Sequence, residues 1–146
     1  MYGDAGLQIV YLGLGVQGWY NWLYGGKDRA PLKIVRVSWQ LLLWLSVAIV
    51  MSTWLLMLAL TAVNGSAPLL DAFTTALSLA AQYLLNRKAI ESWLVWFVVD
   101  VLYIYLYITR GLHLTAMLYL VFIGLCIAGY ISWQRTLSGE ERQLDD

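Results

Sequence analysis

Charge is what this sequence has least of. Of its 146 residues only 12% are charged and 61% are hydrophobic, whereas a soluble domain carries about 25% charged residues. The chain therefore reads as integral to a membrane. Nine basic and nine acidic side chains cancel to a net charge of zero. With no lysine run and no basic patch interleaved with aromatics, nucleic acid is excluded as a partner. A single cysteine, Cys126, lies inside an apolar run, so neither a disulfide within the chain nor a cysteine-built metal centre is available. H-E-x-x-H, G-x-S-x-G and G-x-x-x-x-G-K-[ST] are all missing, which leaves no support for an intramembrane enzyme or for direct ATP drive. No cofactor and no metal is expected. The opening MYGDAGLQIVYLG has no positive n-region and no small-residue cleavage site, and so does not read as a signal peptide.

What the sequence does have is long apolar runs. Five are expected as helices, each near the roughly 20 residues that cross a bilayer: about 5–24, 38–63, 69–85, 92–109 and 112–134. Residues 135–146, QRTLSGEERQLDD from Gln134 onward, read as a frayed polar tail. Basic residues fall on alternate connections: Lys27, Arg29, Lys33 and Arg36 after the first run, Arg87 and Lys88 after the third, Arg135 after the fifth. Between them, the connection Asn64 to Pro68 is uncharged and the last hairpin has only Arg110 and His113. If every run spans, the positive-inside rule puts all three basic sets, and the C-terminus, in the cytoplasm.

The polar groups at membrane depth are few and patterned. Trp93, Trp96, Asp100, Tyr103 and Tyr107 recur at intervals of three and four, which places them on one face of one helix. Asp71, Thr75, Ser78, Gln82 and Asn86 form a second stripe on the helix before it. In hydrocarbon such groups must face protein or water. The two stripes are expected to be facing walls of a cavity, with Gln82 opposite the indoles.

Each feature also has a plainer reading. The two tryptophans suit membrane-interface anchors. Asp100, which costs about 2.5–3.5 kcal/mol to insert mid-span, suits a bond to a neighbouring helix. Gln82 and Asn86 suit helix–helix hydrogen bonds. Glu91 beside Arg87 and Lys88 reads as a surface charge pair of little worth. His113 is a lone loop histidine, and the glycines of the first and fifth runs read as close-packing positions.

A repeat is visible when the first run is slid onto the fifth by about 111 positions. Leu7, Val10, Gly13, Leu14, Gly18 and Trp22 fall on Leu118, Val121, Gly124, Leu125, Gly129 and Trp133. The endings GWYNW and GYISW match. Under the topology above the two copies run in the same direction, a parallel repeat.

Arg87, Lys88, Glu91, Trp93 and Trp96 form an R-K-x-x-E-x-W-x-x-W motif. With GLHLTAMLYLVFIGLCIAGYISW after it, the chain resembles the PnuC family of vitamin transporters, best known for nicotinamide riboside. The opening YGDAGLQIVYLGLGVQGWYNW resembles that family's third helix. The resemblance implies an all-α, polytopic membrane helix bundle with SWEET-like parallel three-helix repeats. This sequence would supply a partial first bundle, a linker helix and a complete second bundle. Two helices of the usual seven are then missing. The reading frame starts upstream, the gene is shortened, or chains associate as a homo-oligomer.

The expectation is a bacterial inner-membrane carrier of a small riboside vitamin, with the lipid bilayer as its other partner. A structural membrane subunit is the rival. As the resemblance implies, transport would be facilitated diffusion drawn inward by phosphorylation of the substrate, and related family members carry thiamine, riboflavin or deoxynucleosides. The candidate substrate-binding residues are Trp93, Trp96, Asp100, Tyr103, Gln82 and Asn86. Trp96 would stack on the flat ring and Trp93 would act as a gate, with up to about 2 kcal/mol of cation–π attraction for a cationic ring.

Overall fold

Five helices follow one another along the chain. They are seen in a computed structural model that describes the backbone of residues 2–64 and 68–145 and the side chains of 6, 8–64 and 68–145. They are α1 (Tyr2–Tyr24), α2 (Trp39–Ala62), α3 (Pro68–Asn86), α4 (Ser92–Thr109) and α5 (His113–Asp145). Among the described residues α2, α4 and α5 are long and apolar enough to cross a membrane. Residues 65–67 of the uncharged connection lie outside the described residues.

The helix at the centre is α3, which packs against α1, α2 and α4. Its composition explains the position. Ala72, Thr74, Ala76, Ser78, Ala80 and Ala81 are all buried, and small side chains let neighbouring backbones come close where lipid supplies no hydrophobic drive. The hydroxyls within this row are satisfied inside the helix: Thr74 donates to the Leu70 carbonyl at 2.8 Å and Ser78 to the Thr74 carbonyl at 2.7 Å. α4 lies between α3 and α5. The outer surface of α2 is apolar, with Trp39, Trp44 and Trp54 53–75% exposed, a surface suited to lipid.

Both turns of the α3–α4–α5 unit use the same C-terminal cap. After α4, Leu112 donates back to the Tyr107 carbonyl at 2.8 Å and Gly111 to Ile108 at 3.1 Å, with Gly111 in the left-handed region at φ 74°. After α3, Ala89 donates to Leu84 at 3.0 Å and Lys88 to Leu85 at 2.9 Å. These are Schellman pairs. In the second, Lys88 holds the left-handed position at φ 57°, where an L residue costs about 1–2 kcal/mol and glycine is usual.

The reason for a lysine there is the strap that runs from α1 to α2. Lys88 Nζ donates to the Leu32 carbonyl at 3.0 Å and lies 5.6 Å from the Trp22 ring. Val35 and Ala89 form a parallel β-bridge, with Val35 donating to the Lys88 carbonyl and Ile90 to the Val35 carbonyl, both at 3.0 Å. Glu91 Oε2 accepts from the Val37 amide at 3.0 Å. This corrects the reading of Glu91 as a solvated charge pair: its carboxylate terminates a backbone strap, one residue before Ser38 caps α2 by accepting from Leu41. At the other end of the α3–α4 pair, Arg110 bonds both oxygens of Asp71 at 2.8 and 2.9 Å.

The expected end of the last helix at residue 134 and the frayed tail beyond it are also corrected. α5 runs unbroken to Asp145, because Leu137, Glu140, Glu141, Arg142, Gln143 and Leu144 are good helix formers and Leu137 is buried.

Candidate functional site

A cavity of about 400 Å³ opens between α1, α3, α4 and α5, within the roughly 300–1,000 Å³ typical of small-molecule sites. One wall is α4, which contributes Trp93, Trp96, Asp100 and Tyr103. These are one helical face, as their spacing requires. The facing wall comes from α5, with Tyr119, Phe122, Leu125 and Cys126. Ser78 and Leu85 of α3 and Gln8 and Tyr11 of α1 complete it.

Asp100 is 2% exposed. Among the described residues, the hydrogen bond to its carboxylate comes from the Cys126 thiol, Sγ to Oδ2 at 3.4 Å. The indole N–H groups of Trp93 and Trp96 are buried with no partner among the described residues. The cavity is thus walled by two indoles and one carboxylate with spare acceptor capacity. No Lys, Arg or His is among its described lining residues.

Aromatic clusters bound the cavity along α4. Toward the α3–α4 turn, the Trp93 and Trp133 rings meet edge-on at 5.3 Å and Trp22 meets Trp133 at 5.7 Å. Trp93 lies so close to α5 that a Cβ on Gly129 would come within 2.7 Å of the indole. Toward the α4–α5 turn, Tyr103, Tyr107 and Tyr119 cluster with centroids 5.0–5.8 Å apart.

Two expected members of the site lie elsewhere. Gln82 and Asn86 do not line this cavity but a separate crevice of about 150 Å³ against α1. Gln82 Nε2 donates to Asn86 Oδ1 at 2.8 Å, and Asn86 Nδ2 donates to the Leu14 carbonyl at 3.0 Å. The Asn86 carbonyl accepts from Asn21 at 2.9 Å, and Trp22 Nε1 donates to the Leu85 carbonyl at 2.9 Å. The two amides are committed to a polar seam between α1 and α3, so the facing wall expected of Gln82 is supplied by α5 instead. Tyr11, Tyr119, Phe122 and Cys126 are wall residues that the sequence reading misses. The signal is present on α5, where Tyr119, Phe122, Cys126, Gly129 and Trp133 keep the same spacing of three and four.

The repeat has a spatial counterpart. Tyr11 and Phe122, which are also 111 positions apart, wall the same cavity, and the matched pair Trp22 and Trp133 touch. α1 and α5 therefore run the same way.

A family model described as nicotinamide mononucleotide transporter matches residues 1–135. The nicotinamide riboside transporter PnuC of Escherichia coli is 23% identical over 162 residues, covering 91% of this chain and 66% of that protein. The Haemophilus influenzae protein of the same name is 29% identical over 86% of this chain and 56% of its own length. The riboflavin/roseoflavin transporter RibM of Streptomyces davaonensis is 27% identical over 90% and 63%. A crystal structure of the vitamin B3 transporter PnuC superposes with a TM-score of 0.67 at 26% identity, over 88% of this chain and 59% of that one. The chain spans 56–66% of the length of these curated relatives.

Proposed function

This chain belongs to the nicotinamide mononucleotide transporter family, a family of transporters and not of enzymes, and on that premise we propose that it bears the substrate site of a bacterial membrane carrier for nicotinamide riboside. The five helices cross the bilayer in a SWEET-like arrangement, with the basic strap, the Arg87–Lys88 turn and the C-terminus in the cytoplasm. Trp93, Trp96, Asp100 and Tyr103 hold the substrate. Gln82 and Asn86 hold α1 to the wall.

The observation that carries this reading is the charge of the cavity. A buried carboxylate with no cation among the described lining residues repels a phosphate and welcomes a cationic ring or ribose hydroxyls. Indoles at its edge suit a flat aromatic cation. The nucleoside is therefore favoured over the mononucleotide that the family description names. Exchange occurs by rocking of the α3–α4–α5 unit against α1 around this site, and phosphorylation inside the cell keeps the gradient inward.

A neutral flavin is the second reading, supported by the riboflavin-transporting relative. Calorimetric titration of the detergent-purified chain separates the two. Nicotinamide riboside is expected to bind, with nicotinamide mononucleotide and riboflavin at least about tenfold weaker, one 1.4 kcal/mol step. Tighter binding of riboflavin, or equal binding of riboside and mononucleotide, would overturn the assignment.

A further inference from the structure

The wall contributed by α5 contains a group that the riboside reading does not yet use. Cys126 is 6% exposed, lines the cavity, and is the described hydrogen-bond partner of Asp100. A thiol is a weak donor, and a carboxylate accepts up to about four hydrogen bonds. One long S–H···O contact therefore orients the carboxylate without saturating it. A lysine or arginine here would occupy the same oxygens, and an alanine would leave the carboxylate free to rotate. The indoles of Trp93 and Trp96 line the same cavity beside the carboxylate.

We propose that Cys126 is a positioning residue for Asp100, its thiol fixing the carboxylate across the α4–α5 seam so that the remaining lone pairs meet the hydroxyls of a riboside. The inference rests on the riboside reading of the cavity. It adds that substrate selection depends on a side chain of α5, and that the chain's single thiol lies inside the site.

That single thiol makes the test direct. Methyl methanethiosulfonate is added to the full chain in detergent, and disulfide formation at Cys126 is followed by mass spectrometry with and without nicotinamide riboside. The thiol is expected to react and saturating riboside to slow it severalfold. In parallel, riboside affinity is titrated in Cys126→Ala, Cys126→Ser, Asp100→Asn and the Cys126→Ala/Asp100→Asn double variant. Cys126→Ala is expected to weaken binding about tenfold, as for a bond to a charged acceptor, and Cys126→Ser to retain most of it. In the Asp100→Asn background Cys126→Ala should cost nothing further, because the two residues act as one.

If the wild-type chain binds riboside but Cys126→Ala binds it equally well, the positioning role is overturned while the site stands. It is likewise overturned if the Cys126 and Asp100 losses simply add, which is what mere helix packing would give. If riboside does not bind the wild-type chain at all, the reading of the cavity falls and the inference with it. Should Cys126→Ala fail to fold, an absence of riboside protection on the native thiol overturns the proposal by itself.

Discussion

At the scale of single residues, the α4 stripe is legible in the sequence because all its members lie on one helix. The spacing of Trp93, Trp96, Asp100 and Tyr103 fixes a shared face whatever packs against it, and the four do line one cavity. Gln82 and Asn86 are misplaced by the same reasoning for the opposite cause. Which face of α3 meets α1, and which meets α4, depends on how three helices surround it, and no spacing within α3 encodes that. Gly18 and Gly129 read as packing positions, and both have contacts that need the missing side chain: Gly18 lies against the Asn86 amide and Gly129 against the Trp93 indole. Gly129→Ala should therefore push the indole, with a small-to-large cost of about 1–3 kcal/mol. The expected result is a lower Tm and weaker riboside binding together, because Trp93 also lines the cavity. Loss of Tm with unchanged affinity would show that the Trp93 indole does not shape the site. Asp100→Asn keeps size and hydrogen-bonding capacity but removes the charge. Titration with nicotinamide riboside and a neutral analogue should find the cationic ligand more affected, and equal losses would show that the carboxylate serves only the hydroxyls.

At the scale of elements, the positions of α2, α4 and the apolar part of α5 can be read from the sequence because an apolar run long enough to span a bilayer has few alternatives. The strap cannot, because its bridge is made of backbone bonds: Val35 to Lys88 and Ile90 to Val35 leave no signature in side-chain pattern. Of the five motif residues, two belong to this strap and two to the cavity. Lys88 and Glu91 hold residues 32–37, whereas Arg87 donates to the Tyr83 hydroxyl at 2.9 Å. The strained turn gives a test with two variants. Lys88→Met removes the ammonium bond to the Leu32 carbonyl, worth about 1.5–3 kcal/mol, and keeps the left-handed strain. Lys88→Gly removes the same bond but relieves about 1–2 kcal/mol of that strain. Thermal melts in detergent should rank wild type above Lys88→Gly and Lys88→Gly above Lys88→Met. If Lys88→Met melts at the wild-type temperature, the lysine is not the clamp.

At the scale of the whole molecule, the parallel repeat and the alternation of basic connections describe one object: α1 and α5 run the same way and meet at Trp22 and Trp133. Residues 27–36, the Arg87–Lys88 turn and the C-terminal end of α5 should label from the cytoplasmic side in single-cysteine variants. The parent for that experiment should be Cys126→Ser, checked for riboside binding first, since Cys126 lines the cavity. External labelling of the Arg87–Lys88 turn would reverse the orientation. α1 packs chiefly on α3, and the chain spans 59% of the solved relative. Rocking needs a rigid body on each side of the site, so in liposomes the chain alone should bind riboside yet transport it slowly. A chimera carrying two further helices ahead of α1 should transport faster. Equal uptake by the two would contradict this. The central claim is that the cavity between α4 and α5 binds a riboside through its indole–carboxylate face, and its most direct test is a calorimetric comparison of Trp96→Ala with Gln82→Ala. A stacked indole is worth a few kcal/mol, so Trp96→Ala should weaken nicotinamide riboside binding about a hundredfold. Trp96→Phe should retain much of the affinity, and Gln82→Ala, in the α1–α3 seam, should leave it within a few fold of wild type. Unchanged affinity in Trp96→Ala, with the helical circular dichroism intact, would contradict the claim.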